Sequence, residues 1–143
     1  AEYTGDLTGM QGKPEVDQAP QYQVTRKGVV AGETEVLDDI EGGFNRRFTN
    51  SAPEGRLIQG RTVLFLDSFG LVALPQIVPY FEDLTVMRLV DFPTESERFI
   101  SLIDESDRVM LLTVERSASY RLQFEIGAPE FLDRLEAELS SKP

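Results

Sequence analysis

Two pairs of polar residues directly follow apolar runs, and their side chains are of types that can do chemistry. Asp67-Ser68 comes after Arg61–Leu66, and Glu115-Arg116 comes after Val109–Val114. Continuous apolar runs of this length are typical of strands buried on both faces of a parallel sheet. Sites in open parallel sheets form beyond the carboxyl ends of the strands. We therefore expect both polar pairs at one edge of the sheet.

A serine in a sharp turn from strand to helix can act as a nucleophile. Ser68 would present its hydroxyl at the sheet edge, and the backbone N–H groups of the following helix would point at a developing oxyanion. The same dipeptide also suits a plain helix cap, because Asp and Ser are favoured at the N-cap. The residues alone leave both interpretations open, and we expect Asp67 to orient the turn rather than transfer a proton.

Glu115 and Arg116 have two interpretations as well. An adjacent Glu-Arg at a strand end commonly forms structural ion pairs that hold a neighbouring loop, and it can also shape a site or contact a substrate. The acidic cluster of Asp38, Asp39 and Glu41 lies beside two glycines, which is more typical of a solvated loop than of a cation site. We predict no metal ion and no cofactor.

Two missing residue types narrow the possible chemistry. The chain has no Cys, which excludes thiolate catalysis, disulfides, zinc ribbons and iron–sulfur clusters within it. It has no His either, so a self-contained Ser-His-Asp triad, a His-ligated metal and an imidazole general base are excluded. The formal net charge of -11 argues against nucleic acid and anionic membrane surfaces, which need a cationic footprint.

The 143 residues suit one domain, which we describe in two parts, 1–60 and 61–143. The first part has a lead-in over 1–20, a loop over Asn50–Gly55 and three predicted short strands: Gln21–Val30, Glu33–Ile40 and Gly43–Thr49. The chain begins abruptly at Ala1, and we expect it to be truncated at the N-terminus of a longer protein.

The second part alternates strands with helices. Its predicted strands are Arg61–Leu66, Leu84–Val90 and Val109–Val114, and its predicted helices are Leu71–Phe81, Glu95–Asp104 and Glu130–Leu139. This order implies parallel pairing through right-handed crossovers. We predict the α/β class, with a small, partial three-layer parallel sheet preceded by a segment like a β-hairpin.

Three stretches of this part resemble a known family. They are VLFLDSFG (63–70), PYFEDLTVMRLVDF (79–92) and SDRVMLLTVERS (106–117). They resemble the SGNH-like domain of bacterial polysaccharide O-acetyltransferases of the alginate acetylation type, in which an apolar strand runs into an Asp-Ser-Phe/Tyr turn and a later strand ends in Glu-Arg. The loop RRFTNSAPEGR (46–56) and the lead-in TGDLTGM (4–10) also resemble what precedes the turn in that family.

The resemblance implies that Ser68 takes up an acetyl group and passes it to a polysaccharide. It implies that the Ser68 backbone N–H is an oxyanion donor, and we place Phe69, Gly70, Glu115 and Arg116 among the residues that shape the site. The Asp-x-His pair that activates the serine in the family lies upstream and is absent here. Leu66 also departs from the small or Arg residue that usually precedes the Asp.

The resemblance further implies an extracytoplasmic site of action, in the periplasm or at the cell surface. The expected partners are an acetyl donor, the polysaccharide and proteins of an export complex, with any membrane attachment only through missing upstream segments. Without the base, whose help is typically worth about 10²–10⁴-fold, these residues alone should be nearly inert.

Two other functions remain as alternatives to acyl transfer. One is a non-catalytic adaptor or carbohydrate-binding domain of the same fold in a cell-envelope assembly. The other is a phosphate- or nucleotide-binding module, which ranks last because no Gly-rich phosphate loop or Walker lysine follows any strand.

Overall fold

The structure is a computed structural model that describes residues 25–37 and 44–141. Its strands are β1 (Val30–Val36), β2 (Arg46–Ser51), β3 (Ile58–Leu66), β4 (Phe81–Arg88) and β5 (Arg108–Leu112). Its α-helices are α1 (Ser68–Ile77), α2 (Phe92–Asp104), α3 (Glu115–Phe124) and α4 (Pro129–Ser140). Single 3-10 turns, Val78–Tyr80 and Leu89–Asp91, come directly before and directly after β4.

The strands form one mixed sheet in the order β1-β2-β4-β3-β5. β3 pairs in parallel with β4 on one side and with β5 on the other, while β2 pairs antiparallel with both β1 and β4. The prediction of the α/β class is confirmed, as is the antiparallel hairpin before the parallel strands. The hairpin extends the same sheet, so the sheet is mixed rather than wholly parallel.

Helices cover both faces of this sheet. On one face Val63 and Phe65 of β3 pack against Phe99 of α2 and Phe131 of α4, and the Phe65 and Phe99 rings stack with centroids 4.4 Å apart. On the other face Leu64 and Leu66 belong to a second cluster with partly buried residues of α1. Since side chains alternate along a strand, a continuous apolar run lets β3 fill both cores.

The amino-terminal strands differ in their limits from those predicted. Residues 21–24 of the predicted strand Gln21–Val30 lie outside the described residues, and its remainder is a turn in which Gly28 has a φ of 81°. The first strand of the described part begins only at Val30. The lead-in over 1–20 and the acidic cluster at 38–41 also lie outside the described ranges.

The prediction that Val109–Val114 is buried on both faces is wrong. β5 ends at Leu112, and among the described strands it pairs with β3 alone, at one edge of the sheet. Val109 remains 49% exposed. The helix α3, over residues for which none was predicted, follows directly. The predicted helix Glu130–Leu139 is present as α4. No helix among the described residues is both long and apolar enough to cross a membrane.

Candidate functional site

The carboxyl end of β3 lies at the point where the chain reverses its direction across the sheet. From β3 the chain passes through α1 to β4 on one side, and from β4 through α2 to β5 on the other. Leu66, the last residue of β3, is in register with Arg88 of β4 and with Leu112 of β5, so the three strands end at the same edge of the sheet. Open α/β sheets bind ligands at such reversals, because the two crossovers leave a crevice between them.

Asp67 closes this end of the sheet with four hydrogen bonds. Its Oδ1 accepts from the backbone N–H groups of Phe69 and Gly70, both at 3.0 Å, and so caps α1. Its Oδ2 accepts from the Val114 N–H at 2.7 Å and from the Thr113 hydroxyl at 3.0 Å. One buried carboxylate thus joins the start of α1 to the segment that follows β5.

These contacts set the charge state of the carboxylate. Burial by itself raises the pKa of Asp67, since it disfavours the charged form. The hydrogen bonds from Val114, Gly70, Thr113 and Phe69 outweigh that effect and lower the pKa below its ordinary value. Asp67 is therefore ionised at neutral pH and engaged on both oxygens, so it orients the turn and is a poor proton acceptor.

Ser68 is exposed to solvent at the first position of α1. Its backbone N–H belongs to the first turn, where no carbonyl of the same helix can accept it. Its hydroxyl has no hydrogen-bond partner within residues 25–37 and 44–141. The helix cap is Asp67, and the Ser68 hydroxyl takes no part in capping.

The two polar pairs come together at this edge, as expected from their places in the sequence. The Arg116 guanidinium lies over the Phe69 ring, 4.8 Å from its centroid, and Phe69 remains 55% exposed. Glu115 is the exposed first residue of α3. In the described part of the chain neither Glu115 nor Arg116 forms an ion pair, so the arginine is held by the aromatic ring.

Gly70 allows α1 to begin close to the sheet. A Cβ at this position would lie 2.9 Å from Leu66 Cβ and 3.2 Å from Leu112 Cδ2. The first of these contacts is too short for real atoms, and Leu66 Cβ is fixed by its strand. Glycine therefore sets how near the first turn of α1, and with it Ser68, lies to β3 and β5.

Several contacts at this edge were not found from the sequence. Arg121 of α3 donates through Nη1 to the Leu89 carbonyl at 3.1 Å and to both carboxylate oxygens of Glu125, at 2.6 and 2.7 Å. This holds α3 against the end of β4. The spacing of Arg121 and Glu125, four residues apart, was the one available signal, since such pairs face each other on a helix.

A cluster of polar side chains also lies at this edge of the sheet, just beyond the carboxyl end of β4. The Asn45 side chain accepts from the Arg88 backbone N–H at 2.8 Å and donates to Asp91 at 2.9 Å. Arg88 also forms an ion pair with Asp91 at 3.0 Å. The Asp91 carboxylate is thus bound by the Arg88 guanidinium and the Asn45 amide, so its role is to hold the end of β4 in place and not to accept a proton.

A metal ion would need several carboxylates close together. The described ranges contain no group of three acidic residues placed to hold one. The chemistry available at this edge is therefore that of an exposed serine hydroxyl, the first N–H groups of a helix and a nearby arginine.

Comparisons with known protein families, with characterised proteins and with solved structures gave no significant match to this chain.

Proposed function

We propose that this chain carries the nucleophile half of a serine-dependent acyl-transfer site. Ser68 Oγ attacks the carbonyl carbon of an acyl ester, the alcohol of that ester leaves, and the acyl group remains on Ser68. A second alcohol then attacks the acyl-serine, takes the acyl group and frees the serine. In both steps the carbonyl oxygen becomes an oxyanion, which the Ser68 N–H at the start of α1 stabilises.

The observation that carries this proposal is the exposure of Ser68 at the carboxyl end of the central strand. A serine that only capped a helix would direct its hydroxyl back to the first-turn N–H groups. Here Asp67 accepts those hydrogen bonds and leaves the Ser68 hydroxyl unbonded to the residues described. Arg116 places a positive charge near the same edge, over Phe69.

On this proposal the general base comes from outside this chain. The 143 residues contain no His, and Asp67 is held by four hydrogen bonds. Both points agree with the resemblance to SGNH-like domains of polysaccharide O-acetyltransferases, whose Asp-x-His pair lies upstream. On that resemblance we propose acetyl transfer to a cell-surface or exported polysaccharide, outside the cytoplasm and alongside export-complex proteins.

A non-catalytic adaptor or carbohydrate-binding domain of the same fold is the second candidate. The observation that favours it is the missing base, since a serine without one is a weak nucleophile at neutral pH. In that case the exposed Phe69 with Arg116 over it would serve as a contact surface for a sugar or a protein. This candidate predicts that Ser68 reacts like any exposed serine.

Acetylation of Ser68 with an external base separates the two candidates. The full chain is incubated with p-nitrophenyl acetate and imidazole, which replaces the missing histidine, and intact mass and peptide mapping follow the products. We expect one acetyl group on Ser68, added at least about 10²-fold faster than on other exposed serines, which is the usual effect of one oxyanion-hole donor.

Two matched variants serve as controls for this experiment. Ser68→Ala should abolish the fast acetylation, whereas Ser119→Ala, which removes an exposed serine from the middle of α3, should leave it unchanged. Equal rates at Ser68 and Ser119 would reject acyl transfer and leave the adaptor as the function of this edge.

A further inference from the structure

The strand β5 exposes apolar side chains along one edge of the sheet. Among the strands that the structure describes, it pairs with β3 alone. Val109, Met110 and Leu111 are consecutive residues and are 49%, 38% and 39% exposed. Side chains alternate between the two faces of a sheet, so this exposure falls on both faces of the strand. A helix or loop packed on one face would cover only part of it, whereas a strand added at the edge would contact all three residues.

The backbone of β5 is also placed to accept a further strand. The Leu112 carbonyl points towards β3, since it accepts from the Asp67 N–H at 3.2 Å. The backbone groups of successive residues in a strand point in opposite directions, so those of Met110 also point towards β3, and those of Val109 and Leu111 point away from it. Backbone N–H and C=O groups need hydrogen-bond partners, and a row of them along an edge is a template for another strand.

The strand at the other edge of the described sheet has features that hinder such pairing. β1 carries the charged side chains Glu33 and Glu35, and its register with β2 shifts between Ala31 and Thr34. Charges and bulges of this kind are the usual means by which natural edge strands avoid pairing with other chains. β5 has neither, because residues 109–112 contain no charge and no proline, and its register with β3 runs without a shift.

A second copy of β5 is complementary to this edge. If two copies pair antiparallel about a two-fold axis at Met110, the outward-pointing residues Val109 and Leu111 of one copy lie opposite Leu111 and Val109 of the other. Arg108 then lies opposite Leu112, so no like charges face each other within the paired strands. Two-fold dimers are the commonest oligomers, and this contact closes on itself after two chains.

We propose that this chain forms a two-fold dimer through antiparallel pairing of its β5 strands, which joins the sheets of the two copies into one. Met110 lies on the axis and faces its counterpart. The pairing gives hydrogen-bond partners to the outward backbone groups of Val109 and Leu111 and removes apolar surface from water on both faces of the sheet. This inference is independent of acyl transfer at Ser68, because it rests on β5 and on association alone.

Sedimentation of the full chain at several concentrations tests for the dimer. We expect a reversible equilibrium between one and two chains with a Kd between about 1 and 100 μM, as befits a small interface. Each copy carries a formal net charge of -11, so the copies repel each other and added salt should strengthen the dimer. As the concentration rises, hydrogen exchange should slow at the Val109 and Leu111 amides and change little at the Met110 amide.

Charges placed at the axis test the register. Met110→Lys and Met110→Glu each bring two like charges opposite each other, and each should weaken the dimer at least about tenfold. An equimolar mixture of the two variants brings opposite charges together there, so it should form a mixed dimer at least about tenfold tighter than either variant alone. Met110 is exposed and lies outside the two core clusters described above, so both variants should fold, which their circular dichroism spectra check.

Val30→Lys supplies the matched control. It places the same charge on an exposed valine of β1, at the other edge, and should leave the dimer unchanged.

Four results would overturn the proposed dimer. They are a chain that stays monomeric at about 1 mM, assemblies larger than two chains, a dimer that persists in Met110→Lys, and a mixture of the Met110 variants that associates no better than either alone. The first would leave β5 to a different partner, and the second would mean a contact that does not close. The last two would place the interface elsewhere on the molecule.

Discussion

Replacement of Asp67 by alanine is expected to lower the free energy of unfolding by about 3–4 kcal/mol. The change removes the cap of α1 and leaves the Val114 N–H and the Thr113 hydroxyl without their acceptor. A lost N-cap alone costs about 0.5–2 kcal/mol. Hydrogen bonds to a charged group contribute about 1.5–3 kcal/mol, and they are not additive on one carboxylate.

Urea denaturation followed by circular dichroism measures this loss of stability. The variant Asp67→Asn separates the contribution of the α1 cap from that of the bonds to Thr113 and Val114. The amide keeps an acceptor for Phe69 and Gly70 but turns a donor towards the Val114 N–H, so we expect about half the loss. Asp133→Ala, at an exposed position of α4, should change stability by no more than about 0.5 kcal/mol. A loss below about 1 kcal/mol for Asp67→Ala would show that the carboxylate does not hold the edge together.

Stability should also fall in acid because of the same carboxylate. The pKa of Asp67 is lower in the folded chain than in the unfolded one, so the unfolded chain binds the proton more readily. The contribution of Asp67 is complete above the unfolded pKa of about 3.9 and is lost as the pH falls through the lower folded value. Denaturation between pH 2 and 6 should therefore show a gap between the native chain and Asp67→Asn that narrows towards acid.

The sequence was most informative where a local pattern determines the structure. The apolar run Arg61–Leu66 predicted a buried strand, and β3 is buried from Thr62 to Leu66. The turn at Asp67-Ser68 was predicted at the carboxyl edge because strand and helix signals bracket it. A segment like a β-hairpin was also predicted before the parallel strands, and β1 and β2 form an antiparallel hairpin there.

The errors arose where the structure depends on which strands are neighbours. Val109–Val114 has the same apolar character as the run in β3, yet β5 has no second neighbour among the described strands. Nothing in five consecutive residues specifies the order of strands. The helix α3 was missed because it buries no residue completely, so its sequence has no apolar stripe to signal it.

At the candidate site, too, the features set by local sequence could be predicted, whereas the contacts between distant residues could not. Asp67 and Ser68 could be found from their own positions, because a strand ends just before them. The partners that Asp67 binds, Thr113 and the Val114 N–H, are 46 and 47 residues away in the chain. Their proximity follows from the pairing of β3 with β5, which the sequence does not state. Long-range hydrogen bonds of this kind are visible only in the folded structure.

Removal of the Glu125 carboxylate should release α3 from the edge that carries Ser68. Glu125 is 6% exposed, and its only cationic partner in the described part of the chain is Arg121. Glu125→Ala would leave the guanidinium with one hydrogen-bond acceptor among the described residues, the Leu89 carbonyl. Breaking a buried pair in this way costs about 3–5 kcal/mol. We expect about 3 kcal/mol by urea denaturation, since the Arg121 side chain remains 18% exposed.

A double replacement distinguishes charge from packing at this contact. Arg121→Met with Glu125→Leu removes both charges together, and apolar replacements of buried pairs are often neutral, so this variant should be more stable than Glu125→Ala. Hydrogen exchange of the α3 amides should rise in Glu125→Ala and stay low in the double variant. Arg116 is the second residue of α3 and lies over Phe69. If α3 detaches from the sheet, this positive charge should therefore also move away from the edge at Ser68. If the α3 amides stay protected in Glu125→Ala, the helix is held by its apolar contacts, and the Arg121–Glu125 pair has no part in positioning Arg116.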